Sequence, residues 1–173
     1  QCFTTLAFAS TLLNTLLQPI DTNQNTYLRD TQHLLSIIND PNFILPKNLT
    51  LLTYDIKALY PSIDTTHGMK LIRRSIYRNR NLIPSLSSSN PTAAASDNDL
   101  EFILNLLEFV LTNNYLTHDN AYFLQLIGTA IGSQCATPYA NIYIYELLLN
   151  VQYAIQTDFK LLKTLTNKII PNH

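Results

Sequence analysis

What this chain of 173 residues lacks narrows its class before anything it contains is weighed. Cysteine occurs twice, as Cys2 and Cys135, too far apart for a metal-binding spacing or a disulfide framework. Two reduced, inert thiols favour an intracellular protein. No apolar run approaches the roughly 20 residues of a membrane span. Lysine and arginine are absent from Asn81 to Phe159, and the net charge is −1. That balance argues against a protein that merely coats nucleic acid. No glycine-rich stretch is followed by Gly-Lys-Ser/Thr, so a Walker-type phosphate loop is not expected. The opening stretch, QCFTTLAFASTLLNTLL, starts on Gln1 and has no basic n-region. It reads as a cut end rather than a signal peptide.

What is there suits a globular core. Apolar residues make up 46% and charged residues 13% of the chain, enough for one domain over 1–173. Leucine periodicity predicts a helix over 4–17, ended by Pro19, and another over 26–39 on Leu28, Leu34, Leu35 and Ile38. LTLLTYDI reads as a short strand with Asp55 near its end. A helix is predicted over 64–80, capped by Asp64 or Thr65, with Met69, Ile72 and Ile76 inward. Residues 81–96, rich in serine, proline and alanine, read as a surface loop or disordered insertion. Asp97–Thr112 reads as a helix capped by Asp97, facing inward with Phe102, Ile103, Leu106, Leu107 and Val110. His118-Asp119-Asn120 reads as a hairpin turn between two β-like runs. Gly128 and Gly132 mark a loop, Pro138 a helix start, and 150–173 a helical tail of no assigned role. Helices alternating with a few strands make the class α+β.

Basic residues gather in one segment: Lys57, Lys70, Arg73, Arg74, Arg78 and Arg80. Such a helix fits a phosphate track, and equally a solvated face. An acid at a strand end, Asp55, is most often a cap. Followed five residues later by Tyr60, it also fits nucleotidyl transfer. That chemistry uses two Mg²⁺ roughly 3.5–4 Å apart, held by carboxylates and backbone carbonyls. Asp55 would give the carboxylate and the Ile56 carbonyl a further oxygen. Tyr60 could lie under the incoming sugar and clash with a 2′-hydroxyl. The same tyrosine could simply pack.

YDIKALYPSID resembles motif A of a reverse transcriptase, and QLIGTAIGSQCATPYANIYIYE resembles motif B. The form Q-x-x-G-T-A-x-G, then P-x-Y-A-N and a glutamate, is similar to the Penelope-like retroelements, relatives of telomerase. FASTLLNTLLQPI…YLRDT matches the family's pattern ahead of motif A, so the likeness covers about 4–149. It implies a partial right-hand palm-and-fingers fold with helices packed on a small antiparallel sheet. The implied partners are an RNA template, a DNA primer and deoxynucleoside triphosphates, with two Mg²⁺ in the intact enzyme. No membrane role is implied, and the intact parent would be nuclear. Asp55 would be the metal-binding acid, with the Ile56 carbonyl, and Tyr60 the sugar gate. Gln125 would enter the loop of Gly128, Thr129, Ala130, Ile131 and Gly132 beside the nascent pair. Pro138, Tyr139, Ala140 and Asn141 would start the supporting helix. Lys70, Arg73, Arg74 and Arg78 would touch the nucleic-acid backbone. Gly128 and Gly132 also read as plain hairpin punctuation, Tyr139, Tyr143 and Tyr145 as core, and Glu146 as a surface charge.

The sequence departs from the family in three places. Ile131 stands where such loops commonly carry methionine or glutamine. Pro61 stands where threonine is frequent, which makes the local text resemble family B DNA polymerases, whose later motif is missing here. The paired aspartate expected after motif B is missing too: residues 147–173 hold one acid, Asp158. One carboxylate cannot hold two cations, so the chain alone is not expected to polymerise. The alternative is a degenerate, non-catalytic remnant that at most binds nucleic acid.

Overall fold

A computed structural model describes residues 2–44, 55–90 and 92–169, with side chains described over 5–44, 55–90 and 92–157. The architecture is α+β: among the described residues there are six α-helices and one two-stranded antiparallel sheet. The expected strand before Asp55 lies outside the described residues, and Asp55 and Ile56 themselves carry no regular structure.

Helix α1 (Cys2–Thr22) places Ala9, Leu13, Leu16, Leu17 and Ile20 in the core. It runs through Pro19 instead of stopping there. A proline inside a helix forfeits one hydrogen bond and costs about 3 kcal/mol. Continuing the helix buries Ile20, which offsets much of that cost. Helix α2 (Thr31–Ile38) starts later than the leucine spacing implied. Asp30 caps it, accepting from the His33 N–H at 2.8 Å, and the chain before it turns at Asp21–Tyr27. Leu28, Leu34, Leu35 and Ile38 are all exposed.

Helix α3 (Leu59–Ser62) is a single turn and leads into α4 (Thr65–Arg78). Asp64 caps α4, accepting from the His67 N–H at 2.6 Å. Leu71, Ile72 and Ile76 of α4 are fully buried. The described part of 81–96 is largely an exposed loop, as one of its two readings had it, and it is anchored at both ends. A 3-10 turn at Arg80–Leu82 delivers Ile83 to the core, and the Ala95 N–H donates to the Ile83 carbonyl at 3.0 Å. Helix α5 (Asp97–Thr112) has the predicted bounds but a different cap. Ser96 and Asp99 form a reciprocal capping box, and Asp97 pairs with Arg80 at 2.9 Å instead. Its buried face is Leu100, Ile103, Leu104, Leu107, Val110 and Leu111, whereas Phe102 is 49% exposed.

Strands β1 (Tyr115–His118) and β2 (Ala121–Leu124) pair through a two-residue turn. Asp119 and Asn120 both hold positive φ, 48° and 61°, the backbone a tight type I′ hairpin needs. Every residue of the hairpin is exposed. The helices therefore do not pack on this sheet; they pack on one another, with α1 and α4 each packed against both α5 and α6 (Ala136–Ile169). A four-residue strand has too few side chains on one face to cover a helix.

Candidate functional site

The two stretches that carry the resemblance meet through their backbones. The Thr129 N–H donates to the Tyr60 carbonyl at 2.9 Å, and the Gly128 N–H donates to the Ile63 carbonyl at 3.1 Å. This approach dictates the residue at 128. Gly128 holds φ +81°, and a Cβ there would fall 2.5 Å from Pro61 Cα. Thr129 is buried and its Oγ1 has no partner among the described residues. Just upstream of α3, Ala58 holds φ 54° in the left-handed region, at a cost of about 1–2 kcal/mol. That kink starts the helical turn that carries Tyr60.

The far end of the loop is held to α1. Ser10 Oγ accepts from the Cys135 N–H at 3.0 Å and lies 2.8 Å from Ser133 Oγ. Between these two anchors Ala130, Ile131 and Gly132 bow outward, with Ile131 73% exposed. A Cβ at Gly132 would meet nothing within 4 Å, so close packing does not require glycine there. Gln125 joins the hairpin exit to the loop. Its backbone N–H donates to the Asn114 carbonyl at 2.9 Å, and its side-chain amide donates to the Ile127 carbonyl at 2.9 Å.

Asp55 is exposed and has no hydrogen-bond or ion-pair partner among the described residues. Its neighbour Ile56 lines a cleft with Leu59, Asn141 and Tyr145, while Ala130 and Gly132 line a different one beside Ser10 and Tyr115. Tyr60, Gly128 and Thr129 are thus brought together, and Ala130–Gly132 lines a separate surface from Ile56. No group of three or more His, Cys, Asp or Glu residues among the described residues is arranged to hold a metal ion. Asp55 by itself does not fit a pair of divalent cations.

The basic helix is largely engaged within the molecule. Arg73 forms a two-pronged ion pair with Glu101, whose Oε1 also accepts from the Tyr77 hydroxyl at 2.7 Å. The Arg73 and Tyr77 hydrogen bonds hold the Glu101 carboxyl below its usual range. Arg78 pairs with Glu146, which is only 1% exposed, so the alternative reading of Glu146 as a surface charge does not hold. Arg74 donates to the side-chain Oδ1 of Asn150 at 3.0 Å. Lys70 is exposed with no partner among the described residues.

Two functional contacts escaped the sequence reading. Tyr139 is core, as its alternative reading had it, and its hydroxyl rests on Gly68 of α4, which explains a glycine mid-helix. Asn141 donates to Asp21 Oδ2 at 3.2 Å, tying α1 to α6 across 120 residues. Nothing local in the sequence marks a pair so far apart. Compared with protein-family models, with curated proteins and with solved structures, the chain matches none.

Proposed function

We propose that this chain is the central part of an RNA-directed DNA polymerase of a retroelement, covering parts of its palm and fingers. The observation that supports this most is the direct bonding of Gly128 and Thr129 to the Tyr60–Ile63 turn. Two stretches 60 to 70 residues apart, matched to motifs A and B on sequence alone, form one backbone unit. In this reading Tyr60, set on a rigid turn, faces the incoming sugar, and the exposed Ile131 bulge lies against the nascent pair. Asp55 offers one carboxylate for the metal site, and a pair of Mg²⁺ would need further acids beside it. When bound, the Mg²⁺ pair supplies charge neutralisation and an activated 3′-hydroxyl. Template RNA and primer DNA would reach Lys70 first, because Arg73 and Arg78 already hold carboxylates.

The experiment is primer extension by the intact enzyme that contains this chain. Asp55→Asn abolishes extension while primer–template affinity stays within about twofold, since a carboxylate adds nothing to phosphate binding. Full turnover by Asp55→Asn removes that residue from the mechanism. The second reading, a non-catalytic remnant, is favoured by the lone carboxylate. It requires that the intact parent extend no primer at all.

A further inference from the structure

Three carboxylates are buried among the described residues: Asp21, Asp99 and Glu146. Two of them are fully used. Asp99 closes its capping box and accepts from Ser85 at 2.9 Å, and Glu146 holds Arg78. Asp21 is different. It is 6% exposed, its Oδ2 has only the Asn141 amide, and its Oδ1 has no partner. A buried carboxylate with no counter-charge is costly, and native proteins seldom leave one.

Asp21 sits in a cleft of about 440 Å³ between the end of α1 and α6. Its apolar walls are Leu28, Ile56, Leu59 and Leu148, with the rings of Tyr27 and Tyr145. Among the described residues no lysine, arginine or histidine lines it, and Asp21 is the one formal charge they bring to it. Gln24 also lines it, and its Nε2 is a second buried group without a partner. The cleft therefore wants both a cationic donor and a neutral acceptor. Its apolar character continues along α6, where Leu148, Val151 and Ile155 are exposed at helical spacing. From Ile144 to Ile155 that face runs for about 16 Å.

We propose that this cleft docks an apolar polypeptide segment of a partner protein, which inserts one lysine or arginine against Asp21. The aliphatic stem of the inserted side chain packs on Leu28, Ile56, Leu59 and Leu148. Its cationic head donates to Asp21 Oδ1, flanked by the Tyr27 and Tyr145 rings. A backbone carbonyl of the partner accepts from Gln24 Nε2. The rest of the segment covers the α6 stripe, which a small cation or a single nucleobase would leave bare. This inference does not depend on the polymerase reading.

The test is fluorescence anisotropy with a labelled, capped nonapeptide of alternating leucine and serine, carrying arginine at its centre. The control carries citrulline there, which keeps the shape and removes the charge. Saturable binding of the arginine peptide is expected, with citrulline at least tenfold weaker. Asp21→Asn should erase that difference, and Leu148→Asn should weaken both peptides. Circular dichroism establishes that each variant is folded; if Asp21→Asn is not, the citrulline comparison and Leu148→Asn still decide. Asp55→Asn should leave peptide binding unchanged, which separates this site from any polymerase activity. Equal affinity for the two peptides, no saturation at millimolar peptide, or displacement by guanosine at comparable concentration would each overturn the proposal.

Discussion

Gly128 has the least freedom to change of any residue near the candidate site. Its φ of +81° belongs to the left-handed region, and Pro61 fills the space where a side chain would begin. Gly128→Ala adds left-handed strain of about 1–2 kcal/mol and a backbone clash on top of it. We expect a total loss of about 2–4 kcal/mol in urea unfolding, with an unchanged denaturant slope. Gly132→Ala is the matched control and should cost under about 1 kcal/mol, because nothing stands near its missing Cβ. Asp21 obeys a different logic. Burial pushes its carboxyl above the usual value, with the Asn141 hydrogen bond opposing that. Folding thus favours the protonated form. Its contribution to stability is fully present below the unfolded value of 3.8 and is lost as pH rises through the folded one. Asp21→Asn imitates the neutral form. It should therefore melt higher than the parent at pH 7, and the two melting curves should converge as pH falls toward 3.8.

At the scale of elements, local chemistry explains where helices begin. Ser96, three residues before Asp99, forms the capping box of α5, one residue ahead of the Asp97 cap that the sequence suggested. Ser96→Ala should cost about 1 kcal/mol in thermal or chemical unfolding. Asp97→Ala should cost less, since its partner Arg80 is an exposed ion pair. The hairpin was equally legible. Asp-Asn between two alternating runs asks for positive φ at both positions, and both have it. The end of α1 was not legible. A proline is a stop signal read locally, yet the burial of Ile20 carries the helix past it. Phe102 is the converse case. Its spacing suited the inward face of α5, but that face rotates toward Leu100, Leu104 and Leu111 to meet α1 and α4.

Across the whole molecule, α6 packs on α1 and α4, and its buried Glu146 links it to the basic helix. Arg78 is the partner, and it is half-exposed. Removing the arginine strands a buried carboxylate, so Arg78→Met should cost about 2–3 kcal/mol, at the low end for a broken buried pair. Double substitution to Arg78→Met with Glu146→Leu should recover most of it, measured as a double-mutant cycle. The six basic residues from Lys57 to Arg80 looked like one electrostatic face in the sequence. Three of them, Arg73, Arg78 and Arg80, find acids from α5 and α6, which the spacing of arginines alone could not reveal.

The division between sequence and tertiary structure follows from the range of the forces involved. Capping, turn geometry and apolar periodicity act over a few residues, so the sequence by itself determined the α+β class, the bounds of α5, the hairpin at Asp119-Asn120 and the loop around Gly128. It also determined that the stretches at 55–64 and 125–146 deserve to be considered together. Only the tertiary structure decided that Tyr60 and Ile63 bond to Thr129 and Gly128, that Glu146 is buried on Arg78, and that Asp21 is left facing a cleft without a counter-charge. Those outcomes depend on which distant side chains exclude water from one another, and burial of that kind has no local signature.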